Sequence, residues 1–371
     1  MAAFGIALVV LVFAALLGLA EGFRKAVATS GSPDNVIIMR KGADAELQSQ
    51  VTRENGRIIS ELPFVANDGR GRSLFAAESV IILNRRKHDG GSANIVVRGA
   101  PEMALKVHAG LRVVKGRWYA PGSDEATIGV GLARRLEGFT LGQNVDAGRH
   151  HWRIVGVFEA EGSSLESEMW IDAELLQGVF NRGNIFQSLL FRVNGNSDSA
   201  LKTLETIFTA DPRLQNLQAK RESEYYTQQA RLMSDLIEKL GSLLTAIMAI
   251  GAVVGAMNTM YAAVSQRKRE IGCLLAMGFT PASIWLAFIV ESLFLSGVGA
   301  LAGCAMALLL DGLKTGTTNW ATFSETAFEF RVTPAILLSA SALALSMGFI
   351  GGMAPAVRAA RMKVVDALRR A

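Results

Sequence analysis

The chain has 371 residues, 50% of them apolar and only 19% charged, with a formal net charge of +5 and a mean hydropathy of +0.29. Soluble globular domains carry about 25% charged residues, and disordered chains are richer in charge and poorer in apolar side chains, so both classes are disfavoured. Two cysteines exclude a disulfide scaffold and a multi-cysteine metal site, and at roughly 150 residues per domain the length predicts two or three structural units.

The first 20 residues contain no charged side chain. An α-helix needs about 20 apolar residues to cross hydrocarbon, and a backbone in lipid must satisfy its own hydrogen bonds. Residues 1–22 are therefore read as a first transmembrane helix. Gly18-Leu19-Ala20 also has the small-x-small pattern of a signal-peptide cleavage site. Against cleavage, no Lys or Arg precedes the run, and the run is longer than the apolar part of a signal peptide.

Residues 23–221 are mixed in pattern. Strands are predicted at Val36–Met39, Ser79–Leu83, Ile95–Val97, Leu111–Val114, Ala126–Val130, His151–Phe158 and Ser188–Val193, and helices near 131–136, 172–181 and 198–209. This intermixture reads as an α+β domain. From Glu222 the pattern turns helical: Tyr226, Ala230, Met233, Ile237, Leu240 and Leu244 recur at steps of three or four. With no Gly or Pro between Ser223 and Lys239, residues 222–239 are expected to form a stalk helix running into a second span at 240–264.

The loop 265–280 follows, with Arg267, Lys268, Arg269 and Glu270 at its start and Ile271, Leu274, Leu275 and Gly278 at helical spacing. Gly278 suits a helix stop, Thr280 an N-cap and Pro281 the first residue of the next helix. This predicts a short amphipathic helix at the membrane surface, where basic charge also favours anionic lipid. A third span is expected at 281–310, an external loop at 311–331, a fourth span at 332–357 and a basic tail at 358–371. Glu291 is the one acidic side chain inside an apolar run. Ionisable groups at depth are expensive and often functional, so Glu291 is expected either to bond a neighbouring helix or to act in coupling.

A pI of about 9.3 would fit a nucleic-acid binder. Here the basic excess sits beside apolar runs: in 265–280, and in the tail, where Arg358, Arg361, Lys363, Arg369 and Arg370 face only Asp366. Cytoplasmic flanks of membrane helices look like this. The loop and both termini are thus expected in the cytoplasm, residues 23–235 and the acidic 311–331 segment outside, and nucleic acid is not expected as a partner. The fold class expected is a membrane protein of four transmembrane α-helices, with a large extracytoplasmic α+β domain inserted between helices 1 and 2. Small residues spaced by four occur in every span: Ala14 and Gly18, Gly251 and Gly255, Gly299 and Gly303, Gly348 and Gly352. Such spacing lets helices approach closely in lipid.

Chemistry-bearing motifs are missing. No Gly-Lys dipeptide occurs, so there is no P-loop. His88, His108, His150 and His151 form no H-E-x-x-H or Cys/His cluster, and no G-x-S-x-G elbow is present. No catalytic residue, cofactor site or metal site is assigned. Cys273 in the loop and Cys304 in the third span are not expected to pair.

The run R-K-R-E-I-G-x-L-x-A-M-G, Arg267 to Gly278, resembles the corresponding segment of ABC permeases of the FtsX/MacB type. Pro355 to Arg369 resembles their closing P-A-x-R-A-A-x-x-x-P-x-x-A-L-R, with Val364 near the usual second proline. Val290 to Leu293 resembles a stretch of their third span, and residues 127–158 their periplasmic core. One departure is at the start, where family members carry a basic stretch before the first span. The resemblance implies a non-catalytic permease subunit in a bacterial inner membrane, with ATP and Mg bound by a separate ABC ATPase. It implies that Arg267, Lys268, Arg269, Glu270, Ile271, Gly272, Leu274, Leu275 and Gly278 meet that ATPase. It further implies a second permease copy, in a homo- or heterodimer, with a membrane-fusion adaptor and outer-membrane channel as further candidate partners. Its work would be export or extraction of an amphipathic substrate, the alternative being a regulatory membrane protein that activates a periplasmic cell-wall hydrolase.

Overall fold

A computed structural model describes residues 2–108, 110–319 and 322–363. In chain order its elements are α1 (Ala2–Ala28), β1 (Asn35–Arg40), β2 (Val51–Thr52), α2 (Arg53–Ser60), β3 (Phe75–Arg86), β4 (Ser92–Ala100), α3 (Ala104–Val107), β5 (Arg112–Gly116) and β6 (Glu125–Gly129). There follow α4 (Val130–Arg135), β7 (Asn144–Ala147), β8 (His150–Glu159), β9 (Glu168–Asp172), α5 (Ala173–Val179), β10 (Ile185–Phe186), β11 (Ser188–Arg192), α6 (Ser197–Ala210) and β12 (Leu217–Arg221). The chain continues through α7 (Glu222–Gln266), α8 (Lys268–Ala276), α9 (Pro281–Leu308), β13 (Lys314–Asn319), β14 (Ser324–Glu329) and α10 (Pro334–Ala360). Of the basic tail, residues 364–371, with Val364, Asp366, Arg369 and Arg370, lie outside the described residues.

Two compact units result. The helical unit takes Met1–Gly22, Asp235–Leu313 and Phe330–Ala371, and the α+β unit takes Phe23–Ser234 and Lys314–Glu329. Four helices, α1, α7, α9 and α10, are long and apolar enough to cross a membrane. Their ends obey local chemistry. Thr280 and Thr333 cap α9 and α10 by accepting from Ser283 N–H and Ile336 N–H, and each helix opens with proline, whose missing N–H is no loss at that position.

Glycines decide how these helices pack. A Cβ on Gly299 would sit 2.8 Å from the Ala3 carbonyl, and one on Gly303 would sit 2.6 Å from that of Ala7, so α9 lies backbone-close on α1. Beside them Ile6, Val10, Ala14, Ala300, Ala340 and Ala344 form one buried cluster. Gly348 and Gly352 of α10 face Ser296 and Ser292 of α9, and Ser292 Oγ donates to the Gly348 carbonyl at 2.6 Å. A hydroxyl in hydrocarbon is best satisfied by such an interhelical bond. A Cβ on Gly18 would lie 3.4 Å from Val332 Cγ2, ordinary contact. Gly251 and Gly255, also expected to pack closely, meet no helix among the described residues. A Cβ on either would meet nothing within 4 Å, because this face of α7, with Ile250 and Val254, is exposed.

The α+β unit is built on a ten-stranded sheet ordered β12-β1-β11-β3-β4-β9-β6-β8-β5, with β7 paired to β8. Most neighbours are antiparallel; β4–β9 and β6–β8 are parallel. Ile95 and Val97 of β4 enter a core with Ile128, Trp152, Ile154, Met169 and Ile171. A second core gathers Val36, Ile38, Leu189, Phe191, Leu204 and Phe208. Because successive strand side chains alternate faces, Arg98 stands on the face of β4 opposite Ile95 and Val97.

The 311–331 segment, expected to be a loop, contains the β13–β14 hairpin, and its Lys314–Glu329 part belongs with the α+β unit. Glu325 is buried there between Lys87, at 2.9 Å, and Arg135. The Ala327 N–H donates to Ser167 Oγ at 2.8 Å, and the Phe328 ring meets Phe23 edge-on at 5.7 Å.

These contacts separate two kinds of helix glycine. Gly303→Val is expected to destabilise the helical unit by about 1–3 kcal/mol through overpacking, whereas Gly251→Ala should leave stability unchanged or raise it by up to about 1 kcal/mol, alanine being the better helix former. Thermal unfolding of the full chain in detergent measures both, and equal effects would refute the assignment.

Candidate functional site

Arg267 links two helices. Its N–H donates to the Ala263 carbonyl at 3.1 Å, closing α7, and its carbonyl accepts the Ile271 N–H at 3.0 Å, opening α8. The far end of α8 is a Schellman turn: Phe279 N–H donates to the Leu274 carbonyl and Gly278 N–H to that of Leu275. The turn needs a left-handed residue, and Gly278 supplies it with φ at +97°. Thr280 and Pro281 then start α9 directly.

The two faces of α8 differ. Ile271 is 3% exposed, in a cluster with Met260, Val264, Ile284, Phe288, Ala356 and Ala359, and Leu274 and Leu275 pack against the same cluster. Gly272 is also buried. Ile271 and Gly272, expected to meet a partner, lie on the side of the helix that the unit's own spans occupy. Leu274 and Leu275 stay half-buried, while Lys268, Arg269, Glu270, Cys273, Met277 and Phe279 are exposed. Cys273 and Cys304 are both free thiols.

Arg267 is about as exposed as its neighbours, yet its side chain turns to the chain's own third span. Its Nη1 donates to both carboxylate oxygens of Glu291, at 3.2 and 3.1 Å. The one acidic side chain in the apolar runs thus finds its partner in the loop before its own helix.

The α+β unit holds a second assembly that sequence reasoning missed. Arg98 is 2% exposed and uses all five of its N–H donors. Nε and Nη2 take Glu168 at 2.8 and 3.0 Å, Nη1 and Nη2 take Glu46 at 2.8 and 3.0 Å, and Nη1 also takes Glu78 at 2.6 Å. His108 Nε2 lies 2.7 Å from Glu78, and its Nδ1 lies 3.5 Å from Glu222. Glu222, the first residue of α7, accepts from Ser32 N–H and Asn35 Nδ2, both at 2.9 Å. Further along α7 the Tyr225 hydroxyl accepts the Glu46 N–H at 3.2 Å. The network therefore anchors the first turns of α7 to β3, β4 and β9. Beside it, a cavity of about 30 Å³ lined by Glu46, Arg98, Glu168, Tyr226 and Glu325 has room for one or two waters. One clue was available: Arg98 directly follows Ile95-Val96-Val97 in a strand too apolar to carry an unpaired charge.

Charge balance within the network is uneven. Burial alone would raise the Glu78 carboxyl, but the His108 imidazolium and the Arg98 guanidinium outweigh it and hold Glu78 at about 2. Burial opposes the His108 cation too; Glu78 and Glu222 outweigh it and push the imidazole up to about 10. For Glu168 burial prevails over Arg98, and its carboxyl is raised.

Family models match both parts of the chain: the MacB-like periplasmic core domain over residues 1–206, and the FtsX-like permease C-terminal over residues 242–364. The macrolide export ATP-binding/permease protein MacB of Hyphomonas neptunium is 25% identical over 384 residues, covering 98% of this chain and 57% of that protein. The pyoverdine export ATP-binding/permease protein PvdT of Pseudomonas fluorescens is 37% identical over 140 residues, 38% of this chain and 20% of that one. The chain thus spans little more than half the length of the first relative and a fifth of the second. The periplasmic region of MacB from Actinobacillus actinomycetemcomitans aligns with a TM-score of 0.42 at 13% identity, over 54% of this chain and 93% of that one.

Removing one partner from a buried ion network strands the others at a cost of about 3–5 kcal/mol. Arg98→Met is expected to destabilise the α+β unit by that amount, seen as a lower unfolding temperature in the fluorescence of the full chain in detergent. Wild-type stability should also depend on pH in a defined sense. The Glu78 contribution is complete above 4.5 and lost as pH falls toward about 2. The His108 contribution is complete below 6.5 and lost as pH rises toward about 10. The raised Glu168 works in the same sense as His108, favouring mild acid. Unfolding temperature should therefore peak in mild acid, and His108→Gln should flatten the alkaline decline; an unchanged decline would sink the assignment.

Proposed function

The chain belongs to the permeases of the FtsX/MacB type, and we propose on that premise that it is the membrane-spanning subunit of an ABC transporter, carrying ATP-driven motion of a separate ATPase subunit to its α+β domain. In this reading the α+β domain is extracytoplasmic, inserted between the first and second spans, and both termini are cytoplasmic. The basic flanks at Arg267–Arg269 and Arg358–Lys363 support that orientation. ATP and Mg are held by the partner.

The observation that carries the reading is the two-sidedness of α8. Its inner face is packed on three spans and its outer face, with Lys268, Arg269, Glu270, Met277 and Phe279, is exposed. A short helix with charges to set register suits a groove on a partner protein. Motion received there has a stiff path, since α7 is one unbroken helix of 45 residues, about 68 Å long, and its first turn is anchored by Glu222 in the Arg98–His108 network.

Paired ATPases would need two such chains, alike or different. Four spans leave little room for a wide pore, so the work is placed at the external domain. The cargo class is an amphipathic molecule, in keeping with the macrolide and pyoverdine named for the two relatives. An adaptor and an outer-membrane channel would complete an export route.

Lys268→Ala, Arg269→Ala and Glu270→Ala combined are expected to lower permease-dependent stimulation of a co-reconstituted partner ABC ATPase by roughly tenfold, the loss of one charge-assisted contact. The measurement is ATP hydrolysis in vesicles holding both subunits. Undiminished stimulation with the triple variant would remove α8 as the docking element.

A further inference from the structure

We propose that Arg267 is a positioning residue: with Glu291 it forms a clamp that fixes the α7–α8 joint against α9 and so sets the orientation of α8. Its backbone belongs to both helices, closing α7 through Ala263 and opening α8 through Ile271. With φ at −96° and ψ at 18°, this residue is where the direction changes. Such a joint would hinge freely if nothing crossed it. The Arg267 side chain crosses it, reaching both oxygens of Glu291.

Glu291 stands ten residues beyond Pro281, about 15 Å along α9. The clamp is therefore well separated from the Gly278–Thr280 turn at the other end of α8. Between the two, Ile271 is buried against Ile284 and Phe288 of α9, Met260 and Val264 of α7 and Ala356 of α10. Three fixings at three places remove the rotations that one alone would allow. An acidic group inside an apolar helix is costly unless paired, and here a single guanidinium nitrogen, Nη1, is shared by both carboxylate oxygens, which neutralises the group and ties the joint to α9. A neutral glutamine would relieve the cost equally well without holding the joint. The consequence for docking rests on the proposed role of α8, but the clamp is a property of this chain and is tested without any partner.

Cys273 lies exposed on α8 and offers a native attachment point. The full chain carrying Cys304→Ser is spin-labelled at Cys273 in phospholipid nanodiscs, and the mobility of the label is compared among the parent, Arg267→Gln, Glu291→Gln and the exchange Arg267→Glu with Glu291→Arg. Each single variant is expected to raise the mobile fraction at least twofold, with the unfolding temperature of the α+β unit unchanged, and the exchange to restore the parent spectrum. If the exchanged pair does not insert, Arg267→Lys replaces it and is expected to keep most of the parent immobility. Single variants with parent spectra, or an exchange or lysine variant as mobile as Arg267→Gln, would overturn the clamp. Loss of the docking reading in the ATPase experiment leaves this outcome untouched, because no ATPase is present.

Discussion

Taking a charge or a polar group out of water costs several kcal/mol unless a partner receives it, and each unit is arranged around that requirement. In the helical unit the backbone is satisfied by helices, Ser292 by the Gly348 carbonyl, and Glu291 by Arg267. In the α+β unit the largest demand is the Arg98 guanidinium, whose five donors meet three carboxylates. Burying this many charges is a poor way to gain stability compared with an apolar core of the same volume. Its geometric result is a fixed meeting point: Glu46, Glu78, Glu168, His108 and Glu222 come from separate elements, and each has to be in place for the others to be satisfied.

Chain connectivity gives that meeting point its significance. The chain passes between the units at Gly22–Phe23, Ser234–Asp235, Leu313–Lys314 and Glu329–Phe330. The first two passages fall inside α1 and α7, and the last two flank the β13–β14 hairpin. Each of the four apolar helices is thus continuous with a segment of the α+β unit, two through helix and two through the arms of one hairpin. On the α+β side these segments are held by specific polar contacts, Glu222 to His108 and Asn35, and Glu325 to Lys87 and Arg135.

Apolar periodicity made the four long helices legible, because hydrocarbon imposes length and composition on one continuous segment. The strands at 36–39, 79–83, 95–97 and 151–158 were legible for a similar reason: each is a local run of β-branched or aromatic side chains. What escaped was non-local or weakly apolar. Strand β12 reads Leu-Gln-Ala-Lys-Arg and is held by pairing with β1. The hairpin arms, Lys-Thr-Gly-Thr-Thr-Asn and Ser-Glu-Thr-Ala-Phe-Glu, carry too few apolar residues to separate them from a loop, and Glu325 becomes intelligible only with Lys87 and Arg135 beside it. The ion network spans residues 46 to 222, and no spacing rule joins positions so far apart. The small-residue pairs show the limit of local pattern: Gly299 with Gly303 and Gly251 with Gly255 look alike in sequence, yet among the described residues the first pair meets a neighbouring helix and the second does not.

The short helix α8 shows the same limit at the candidate site. Arg267, Glu270, Ile271 and Leu274 fall within one motif, which invites reading them as one surface. At 100° per residue they cannot all face one way. Ile271 and Arg267, one turn apart, are engaged by the chain's own spans, the first by burial and the second, though exposed, by its ion pair with Glu291, while Lys268, Arg269 and Glu270 are exposed. The motif is thus two half-surfaces with different duties, one fastening and one presenting. A helix fastened by its apolar face, by an ion pair at its start and by a Schellman turn at its end has little freedom to swing alone. In the proposed reading, force applied to its exposed face must then move the ends of α7, α9 and α10 with it, and the displacement enters α7 as movement of a whole helix.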